Sequence, residues 1–256
     1  MIDSRAVIDP SAIIASDVHV GPYSVIGPGV EIAEGSWIGP HVVIRGETRI
    51  GRCNRIYQFA SIGDDPQDKK YQGEQTLLEI GDGNTIREYC TINRGTAQGG
   101  GVTRIGDDNW IMAYVHIAHD CLIGNHTIFV NNASLAGHVI VDDHAMLGGY
   151  SLVHQFCRIG VHAFTSMGSG IAKDVPPYVR VAGHTAKPYG LNSEGLKRRG
   201  FSPESLYNLR NAYKILYRSS LTVEQALHRL RELAAECEEV GHVAAFVEQS
   251  TRGIIR

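Results

Sequence analysis

The stretch that decides the fold reads VGPYSVIGPGVEIAEGSWIGPHVVI, residues 20–44. An aliphatic side chain occupies every sixth position, at Val20, Ile26, Ile32, Ile38 and Ile44. Such a period matches neither the face of an α-helix nor a long strand whose side chains alternate inward and outward. It does match short strands joined by sharp corners, with three strands in a coil of about 18 residues. The stretch therefore predicts a three-sided coil that encloses stacked aliphatic side chains.

The same period extends far beyond this stretch. It runs from Ile8 to Ile62, resumes from Ile80 to Ile92, and runs again, one residue out of phase, from Ile105 to Ile171. Of these 25 positions, Thr165 is the only polar one. The next residue is often glycine, as in Ile26-Gly27, and we expect small residues to turn the corners of the coil.

Two segments interrupt the period. Residues 64–79 read DDPQDKKYQGEQTLLE, and residues 94–103 read RGTAQGGGVT. Loops that project from a rigid scaffold often carry binding residues, although insertions are also tolerated there without a function. We predict both segments as candidate functional loops.

After Ile171 the sequence becomes typical of a helical region. Residues 188–200 are typical of a linker, and Ser202-Pro203 predicts a helix start with an N-cap and a proline in the first turn. A capping box at Thr222 predicts a second helix through about Cys237. We expect a third short helix at residues 243–250. The chain thus divides into residues 1–187, the coil with loops at 64–79 and 94–103, and residues 188–256, a helical domain.

The composition excludes several classes of protein. With 43% hydrophobic and 20% charged residues, the 256-residue chain is typical of a soluble globular protein, and its net charge of -3 argues against a general nucleic-acid binder. Five cysteines without a C-x-x-C pair favour reduced thiols over a disulfide framework. Neither a signal peptide nor a membrane span is recognisable. We expect a cytoplasmic protein that binds no nucleic acid and has no stable membrane insertion.

Stacking places candidate catalytic residues in columns. Residues 18 apart lie above one another, about 4.8 Å apart. From His119 this step leads to Gly137, Gln155 and Lys173. The adjacent column contains Asp120, His138, Phe156 and Asp174. A neutral imidazole beside a backbone N–H supplies a general base and an oxyanion donor for acyl transfer, whereas a single histidine is more often structural. Whether Asp120 orients His119 stays open.

Segments along the whole chain resemble one family. They are AHD (118–120), LAGH (135–138), VHQF (153–156), DVPPY (174–178), EGLKRRGF (194–201) and STRGIIR (250–256). The period resembles that of the hexapeptide-repeat acyltransferases, and the segments resemble the UDP-N-acetylglucosamine O-acyltransferases of lipid A biosynthesis. The resemblance implies a mainly β fold, a left-handed parallel β-helix in the form of a three-sided prism, with a C-terminal α-helical domain.

The resemblance also implies an activity. A homotrimer with active sites between subunits would transfer an (R)-3-hydroxyacyl group from acyl carrier protein to the 3-hydroxyl of UDP-N-acetylglucosamine, the first step of lipid A (lipopolysaccharide) biosynthesis. The acyl carrier protein thioester is a co-substrate, and neither a cofactor nor a metal is expected.

Site residues follow motif by motif from the resemblance. His119 is the general base, and the Gly137 N–H is the oxyanion donor. Arginine suits a diphosphate because its donors form bidentate hydrogen bonds, while Glu194 and Asn192 suit sugar hydroxyls or uracil. The positions that match substrate contacts are Asp68, Lys70, His116, His138, His154, Gln155, Asn192, Glu194, Arg198 and Arg199.

Charge in the helical domain indicates a protein partner. Six basic residues and one acidic residue lie between Lys197 and Arg218, although the whole chain is acidic. Such a patch suits an acidic protein, which by the resemblance is acyl carrier protein; the alternative is an ordinary solvated helix face. The docking residues would be Arg198, Arg199, Arg210, Lys214 and Arg218.

One residue bears on acyl-chain length. The family's chain-length position aligns with Met167, where some relatives carry glycine. Methionine fills space that glycine leaves open. If its side chain blocks one coil spacing of about 4.8 Å, the acyl chain is a shorter one, of about ten to twelve carbons.

Two other classes of protein are alternatives. The β-helix carbonic anhydrases bind zinc through histidines at a subunit interface, and His116, His119 and His138 would supply three ligands. The helical domain and the KRRGF segment would then be unexplained. A non-enzymatic scaffold instead predicts that His119→Ala changes nothing. The sequence also leaves open a 3-hydroxyl or a 3-amine on the acceptor, and how strictly the 3-hydroxyl of the acyl chain is required.

Overall fold

The computed structural model describes all residues, 1–256. The chain forms a left-handed parallel β-helix with three faces, followed by a C-terminal helical domain, which confirms the predicted fold class. Successive strands pass from face 1 to face 2 to face 3, and each strand pairs with the strand of the same face in the next coil. We call the turns after faces 1, 2 and 3 the first, second and third corners.

Each face is a sheet of short strands. The strands of face 1 are β1 Val7–Ile8, β4 Val25–Ile26, β7 Val43–Ile44, β10 Ser61–Asp64, β13 Thr91–Asn93, β16 His116–Ile117, β19 Ser134–Leu135, β22 Leu152–Val153 and β25 Gly170–Ile171. Those of face 2 are β2 Ile13–Ile14, β5 Val30–Ile32, β8 Glu47–Ile50, β11 Leu77–Ile80, β14 Val102–Ile105, β17 Leu122–Ile123, β20 Ile140–Val141 and β23 Arg158–Ile159. Those of face 3 are β3 His19–Val20, β6 Trp37–Ile38, β9 Arg55–Ile56, β12 Thr85–Ile86, β15 Trp110–Ile111, β18 Ile128–Phe129, β21 Met146–Leu147, β24 Phe164–Thr165, β26 Val179–Ala182 and β27 Lys187–Leu191.

The register follows the predicted step of 18 residues in most of the coil. Val25 pairs with Val43, and His116 pairs with Ser134. The step widens to 30 residues where residues 64–79 are inserted and to 25 where residues 94–103 are inserted. In the last coil it shortens to 16, because Ile159 pairs with Val175. The placement of Asp174 in the column of His138 is therefore wrong: its carboxylate instead accepts hydrogen bonds from the backbone N–H of Arg158 and from Ser250 Oγ.

The periodic residues fill the interior of the prism. From Val20 to Ile171 the aliphatic members are buried at 5% exposure or less, and they belong to one continuous hydrophobic cluster. The polar exception, Thr165, is also fully buried, and its hydroxyl pairs with Ser151 Oγ at 2.6 Å and accepts the N–H of Gly148. The hydrogen bonds compensate for burying a polar side chain in this column.

The corners differ from the expectation that small residues turn them. The left-handed conformation lies three residues after the core position and is usually held by an aromatic, histidine, asparagine or aspartate residue, such as Tyr23 (φ 61°) or His41 (φ 55°). The frequent glycine one residue after the core position has a different explanation. A side chain on Gly51 would lie 2.6 Å from the carbonyl oxygen of Gly81 in the next coil, so the close approach of two coils excludes it.

The first helix of the helical domain begins earlier than predicted. Residues 188–200 are not a linker, because β27 pairs antiparallel with β26 and is followed by α1 Ser193–Arg198. The other helices are α2 Pro203–Tyr217, α3 Val223–Ala234 and α4 Glu238–Gln249. The predicted third helix at residues 243–250 starts five residues too late, since two acidic residues after the extended Cys237 favour a helix start there.

The helical domain is fixed to the last coils by its own hydrophobic cluster. Tyr178, at the end of the β-helix, belongs to this cluster, and its hydroxyl pairs with His242 Nδ1 of α4 at 2.9 Å. The chain end also returns to the coil, because the N–H of Ile255 donates to the carbonyl of Asp174. No helix of the protein combines the length and the apolar composition needed to cross a bilayer.

Candidate active site

The first corner carries a histidine–aspartate pair. His119 follows β16 and is 14% exposed in its side chain, while the Asp120 side chain is almost fully buried. The His119 Nδ1 lies 2.7 Å from Asp120 Oδ2. Because the carboxylate accepts a hydrogen bond from Nδ1–H, the ring nitrogen without a hydrogen is Nε2, the atom that is available as a base. Whether Asp120 orients His119 was left open by the sequence, and this hydrogen bond shows that Asp120 contacts the imidazole and orients it.

Gly137 lies one coil beyond His119. A side chain on Gly137 would come within 2.5 Å of His119 Cε1, so only glycine leaves room for the imidazole. The Gly137 N–H donates no hydrogen bond within the chain. A buried residue with a free N–H beside the base is the arrangement that an oxyanion donor requires.

The second corner shows why this free N–H is unusual. There, the N–H two residues after the core position is capped by an Asp or Asn side chain of the next coil. Arg52 N–H donates to Asp82, Asp107 N–H to Asn125, and Asn125 N–H to Asp143, each at 2.6–2.7 Å. At the first corner, the equivalent N–H groups of His119 and Gly137 have no such cap. The sequence gives a signal for this difference, because Asp or Asn recurs at one corner and not at the other.

Two further histidines surround the pair. The His138 ring stands at right angles to His119, with centroids 5.2 Å apart, and stacks on Phe156. Burial lowers the pKa of His138, although the nearby charges of Asp120 and Asp68 oppose this. His116 Nδ1 pairs with Thr91 Oγ1 at 2.7 Å, and burial lowers the pKa of His116 too. Burial thus favours uncharged imidazoles on both sides of the base.

The 64–79 loop brings an acidic residue towards this corner. The carboxylate of Asp68 lies near enough to influence His138 and accepts the N–H of Lys70, whose side chain is exposed. The buried Arg94 holds the loop, because its guanidinium donates to the carbonyl of Gly63, to Asp65 and to Tyr71 Oη. In the sequence, the only signal for Arg94 is its position at the start of the second interruption.

The 94–103 loop lies directly on the pair. Thr96 donates its N–H and its hydroxyl to the two carboxylate oxygens of Asp120, and Thr103 Oγ1 accepts the backbone N–H of Asp120. Burial would raise the pKa of the Asp120 carboxyl, but hydrogen bonds from His119 and Thr96 outweigh it and hold the pKa below its usual value. The sequence indicated this loop but not these threonines.

A second group of predicted residues lines a groove on face 3. The groove holds about 830 Å³, and the site residues that line it are Asn192, Glu194, Arg198 and Arg199. Arg199 Nη1 donates to Nδ1 of His144 at 2.8 Å, and Asn192 Nδ2 donates to the carbonyl of His162. Glu194 pairs with Lys197 at 3.0 Å. His144, which no pattern in the sequence indicated, therefore orients one of the two arginines.

One chain does not bring all predicted site residues together. His116, His119, Gly137 and His138 meet at the first corner, and the exposed His154 and Gln155 lie in the following coil. The arginine groove is on face 3, which is opposite the first corner in a three-sided prism. Met167 is at the third corner, with 79% of its surface exposed.

The predicted docking residues of α2 are exposed. Arg210 and Lys214 are one helical turn apart, and Arg218 is the C-cap residue one turn further on. None of the three forms an ion pair with an acidic side chain of the chain. Their charges are therefore free to act on a partner.

The residues that could hold a metal differ from the predicted set. His119, Asp120 and His138 have ligand atoms within 4.8 Å of one another, whereas His116 is paired with Thr91 instead. In the observed arrangement His119 Nδ1 and Asp120 Oδ2 are hydrogen-bonded to each other. Nδ1 of His119 would therefore bind a cation only if this contact were lost.

Comparisons with known proteins match the entire chain. A family model described as UDP N-acetylglucosamine O-acyltransferase, domain 2, matches residues 174–255, and a bacterial transferase hexapeptide model matches residues 1–34 and 103–137. The acyl-(acyl-carrier-protein)–UDP-N-acetylglucosamine O-acyltransferases of Halorhodospira halophila and Ectopseudomonas mendocina are 59% and 60% identical, and the matches cover 100% of this chain and 99% of each relative.

Solved structures of similar proteins have the same fold as this chain. The UDP-N-acetylglucosamine acyltransferase of Francisella novicida superposes with a TM-score of 0.98 at 46% identity, covering 100% of this chain and 94% of the other. The Acinetobacter baumannii protein of the same family gives a TM-score of 0.97 at 48% identity, with coverage of 100% and 99%.

Proposed function

The chain belongs to the UDP-N-acetylglucosamine O-acyltransferase family, and on that premise we propose that it transfers an (R)-3-hydroxyacyl group from acyl carrier protein to the 3-hydroxyl of UDP-N-acetylglucosamine, the first step of lipid A biosynthesis. The observation that carries the proposal is the first corner, where His119 is paired with Asp120 beside the free N–H of Gly137. This geometry supplies a base and an oxyanion donor at one place.

The chemical step uses these two groups. His119 Nε2 removes the proton of the sugar hydroxyl while the hydroxyl oxygen attacks the thioester carbonyl carbon. The negative charge that develops on the carbonyl oxygen is stabilised by the Gly137 N–H, and the imidazolium by Asp120. The C–S bond then breaks, the imidazolium returns its proton to the thiolate, and the ester and the free thiol of acyl carrier protein are released.

Substrate binding needs groups from two places in the fold. The arginines Arg198 and Arg199 suit the diphosphate, and Asn192 and Glu194 the hydroxyls or uracil. Because this groove and the first corner are on opposite sides of one prism, a sugar nucleotide reaches both only between two copies of the chain. We therefore propose a homotrimer in which neighbouring subunits complete each site, with Asp68, Lys70, His116, His138, His154 and Gln155 on the catalytic side.

Acyl carrier protein would dock on the basic face. Arg210, Lys214 and Arg218 offer unpaired positive charge at intervals of one helical turn, and Arg198 at the end of α1 and its C-cap residue Arg199 are the other two residues proposed for docking. An acidic protein is steered by such a face, and its binding weakens as salt screens the charges. Raising the ionic strength should therefore raise the KM for the acyl carrier protein more than the KM for the sugar nucleotide.

We propose that the reaction needs neither a metal nor a cofactor. The base and the oxyanion donor account for both proton transfer and charge stabilisation, so no Lewis acid is required. Activity that survives dialysis against a chelator, together with less than stoichiometric zinc, would support this proposal. Stoichiometric zinc with loss of activity on its removal would favour a metalloenzyme that uses His119, Asp120 and His138.

The cellular setting follows from the substrates. An enzyme that draws on acyl carrier protein and a sugar nucleotide belongs in the cytoplasm, where five unpaired cysteines stay reduced. A net charge of -3 gives no reason to propose a nucleic-acid partner.

One assay tests the proposal. Purified protein is incubated with (R)-3-hydroxyacyl carrier proteins and either UDP-N-acetylglucosamine or its 3-amino analogue, and the acylated sugar nucleotide is quantified. We expect transfer to the 3-hydroxyl sugar, with His119→Ala folded but reduced by several orders of magnitude. Exclusive use of the 3-amino sugar would change the acceptor, and full activity of His119→Ala would overturn the mechanism.

A further inference from the structure

Thr96 makes the contact between the 94–103 loop and the catalytic pair. Its backbone N–H donates to Asp120 Oδ1 at 2.8 Å, and its hydroxyl donates to Asp120 Oδ2 at 2.7 Å. Both residues are 5% exposed, so water does not replace these hydrogen bonds readily. The same oxygen, Oδ2, accepts the Nδ1–H of His119.

The direction of the hydroxyl hydrogen bond is fixed by its surroundings. Thr96 Oγ1 accepts the N–H of Gly99 at 3.1 Å, so one of its lone pairs is used and its hydrogen points elsewhere. A carboxylate only accepts, and the hydroxyl hydrogen therefore goes to Asp120. The carboxylate thus receives three donors, two from Thr96 and one from His119.

The loop is folded to hold Thr96 in this position. Thr96 caps the short 3₁₀ helix Ala97–Gly99, and its carbonyl accepts the N–H groups of Gly99 and Gly101. A side chain on Gly99 would collide with the carboxylate of Asp120, so this position must be glycine for the loop to lie there. The insertion is therefore shaped to the buried carboxylate.

We propose that Thr96 is a positioning residue for the acyl transfer, a proposal that rests on the proposed function. Thr96 fixes the Asp120 carboxylate and limits how strongly that carboxylate attracts the proton of His119. Each donor to a carboxylate disperses its negative charge and weakens its attraction for a neighbouring cation. The charged groups that face Asp120 are His119 and His138, on its own corner and the next coil; the 94–103 loop contributes only neutral donors.

The first variant removes the hydroxyl with little change in shape. Thr96→Val keeps the backbone N–H but loses the donor to Asp120 Oδ2. The carboxylate then stabilises the imidazolium of His119 more strongly, and the acid limb of kcat/KM is expected to move to higher pH, by about 0.5 to 1 unit. Because the carboxylate is also less well fixed, kcat should fall about tenfold while the KM for UDP-N-acetylglucosamine stays the same.

Matched variants separate positioning from stability. Thr96→Ser retains the hydroxyl and should restore the wild-type acid limb. Thr127→Val removes another fully buried threonine hydroxyl, which donates to Asn109 at the second corner, and should lower stability without moving the acid limb. In an Asp120→Asn background, Thr96→Val should produce no further shift, because the group through which it acts is absent.

These experiments distinguish a failure of the Thr96 proposal from a failure of the proposed function. If wild-type protein does not acylate the sugar nucleotide, the proposed function fails whatever Thr96 does. If wild-type protein is active but Thr96→Val leaves the acid limb in place, or shifts it equally in the Asp120→Asn background, the role of Thr96 is overturned. A Thr96→Ser variant as impaired as Thr96→Val would also overturn it, since the hydroxyl would then not be the responsible group.

Discussion

Gly137 shows how one residue type meets two demands at the catalytic corner. Any side chain there would displace the His119 ring, and the corner geometry leaves its N–H without a partner. At the second corner the equivalent N–H groups are capped by Asp or Asn, so a free N–H is not a property of every corner. The position therefore requires a residue without a side chain whose N–H is not capped; the residue above it, Gln155, is exposed and accepts no hydrogen bond from this N–H.

Gly137→Ala should reduce kcat strongly while the protein still folds. Its new methyl group would come within 2.5 Å of His119 Cε1, which turns the imidazole away from the substrate hydroxyl, and we expect a loss of about 100-fold or more. Steady-state kinetics and thermal unfolding measure the two effects. Gly27→Ala is the control, because its methyl group would meet no atom closer than the carbonyl oxygen of Ile44 at 3.3 Å, a tight contact that a shift of a few tenths of an ångström relieves. Equal losses in both variants would contradict the explanation.

Met167→Gly should lengthen the preferred acyl chain. The Met167 side chain is 79% exposed at the third corner, and in the proposed homotrimer we expect it to close the end of an acyl groove formed with a neighbouring subunit. Removing it opens about one coil spacing, about 4.8 Å, so the preference should move from about ten to twelve carbons towards fourteen. Values of kcat/KM for acyl carrier proteins loaded with ten, twelve and fourteen carbons measure this. A clear wild-type preference for fourteen carbons would contradict the role of Met167.

At the scale of elements, the sequence predicted the strands that follow the six-residue period and missed the elements outside it. The six-residue period located the strands because each aliphatic side chain has one buried position in the prism. The stacking step of 18 residues brought His119 to Gly137 for the same reason. It failed at Asp174, where the last coil is two residues shorter, and it could not find Thr96, whose hydrogen bonds depend on the fold of an irregular loop. The strand β27 was missed because it pairs antiparallel, outside the period.

The second corner also carries a column of stacked rings that makes stability depend on pH. His126, His144 and His162 stack at 4.6–4.9 Å, and His162 continues onto Tyr178. Burial lowers the pKa of His162 to about 4, helped by His144, Arg199 and His242, while Asp143 opposes it. Between that value and the ordinary pKa of 6.5, the unfolded chain binds the proton and the folded chain does not. Stability is therefore lost as the pH falls.

His162→Phe should make the protein less sensitive to acid. Phenylalanine occupies the same left-handed corner position at Phe59 and Phe156, so the stacked ring is kept while the titrating group is removed. Wild-type protein should lose about 2 kcal/mol of stability per chain from this residue between pH 7 and pH 5, and the variant should not. Urea denaturation at the two pH values measures the difference. His41→Phe, a change at an exposed corner, serves as the control and should keep the wild-type acid sensitivity.

At the scale of the whole molecule, the catalytic corner and the arginine groove face away from each other. The distance between them follows from the prism itself, since face 3 is opposite the first corner. Neither loop crosses the prism to join them: the 64–79 loop reaches the first corner, and the 94–103 loop covers Asp120. The proposed activity therefore depends on assembly.

Mixed trimers test this dependence directly. His119→Ala lacks the base and Arg198→Ala lacks a diphosphate contact, so trimers of either variant alone should be nearly inactive. In the proposed trimer, each site takes its base from one subunit and its arginine from the next subunit. In a mixed trimer, such a site is intact where the base comes from a subunit with the Arg198 change and the arginine from a subunit with the His119 change. Once sequential purification has removed the trimers of a single variant, every mixed trimer has one such site, so about one third of the sites should be active. Co-expression with two affinity tags, sequential purification and an acyl-transfer assay measure the recovery. If every site lies within one chain, mixing restores nothing.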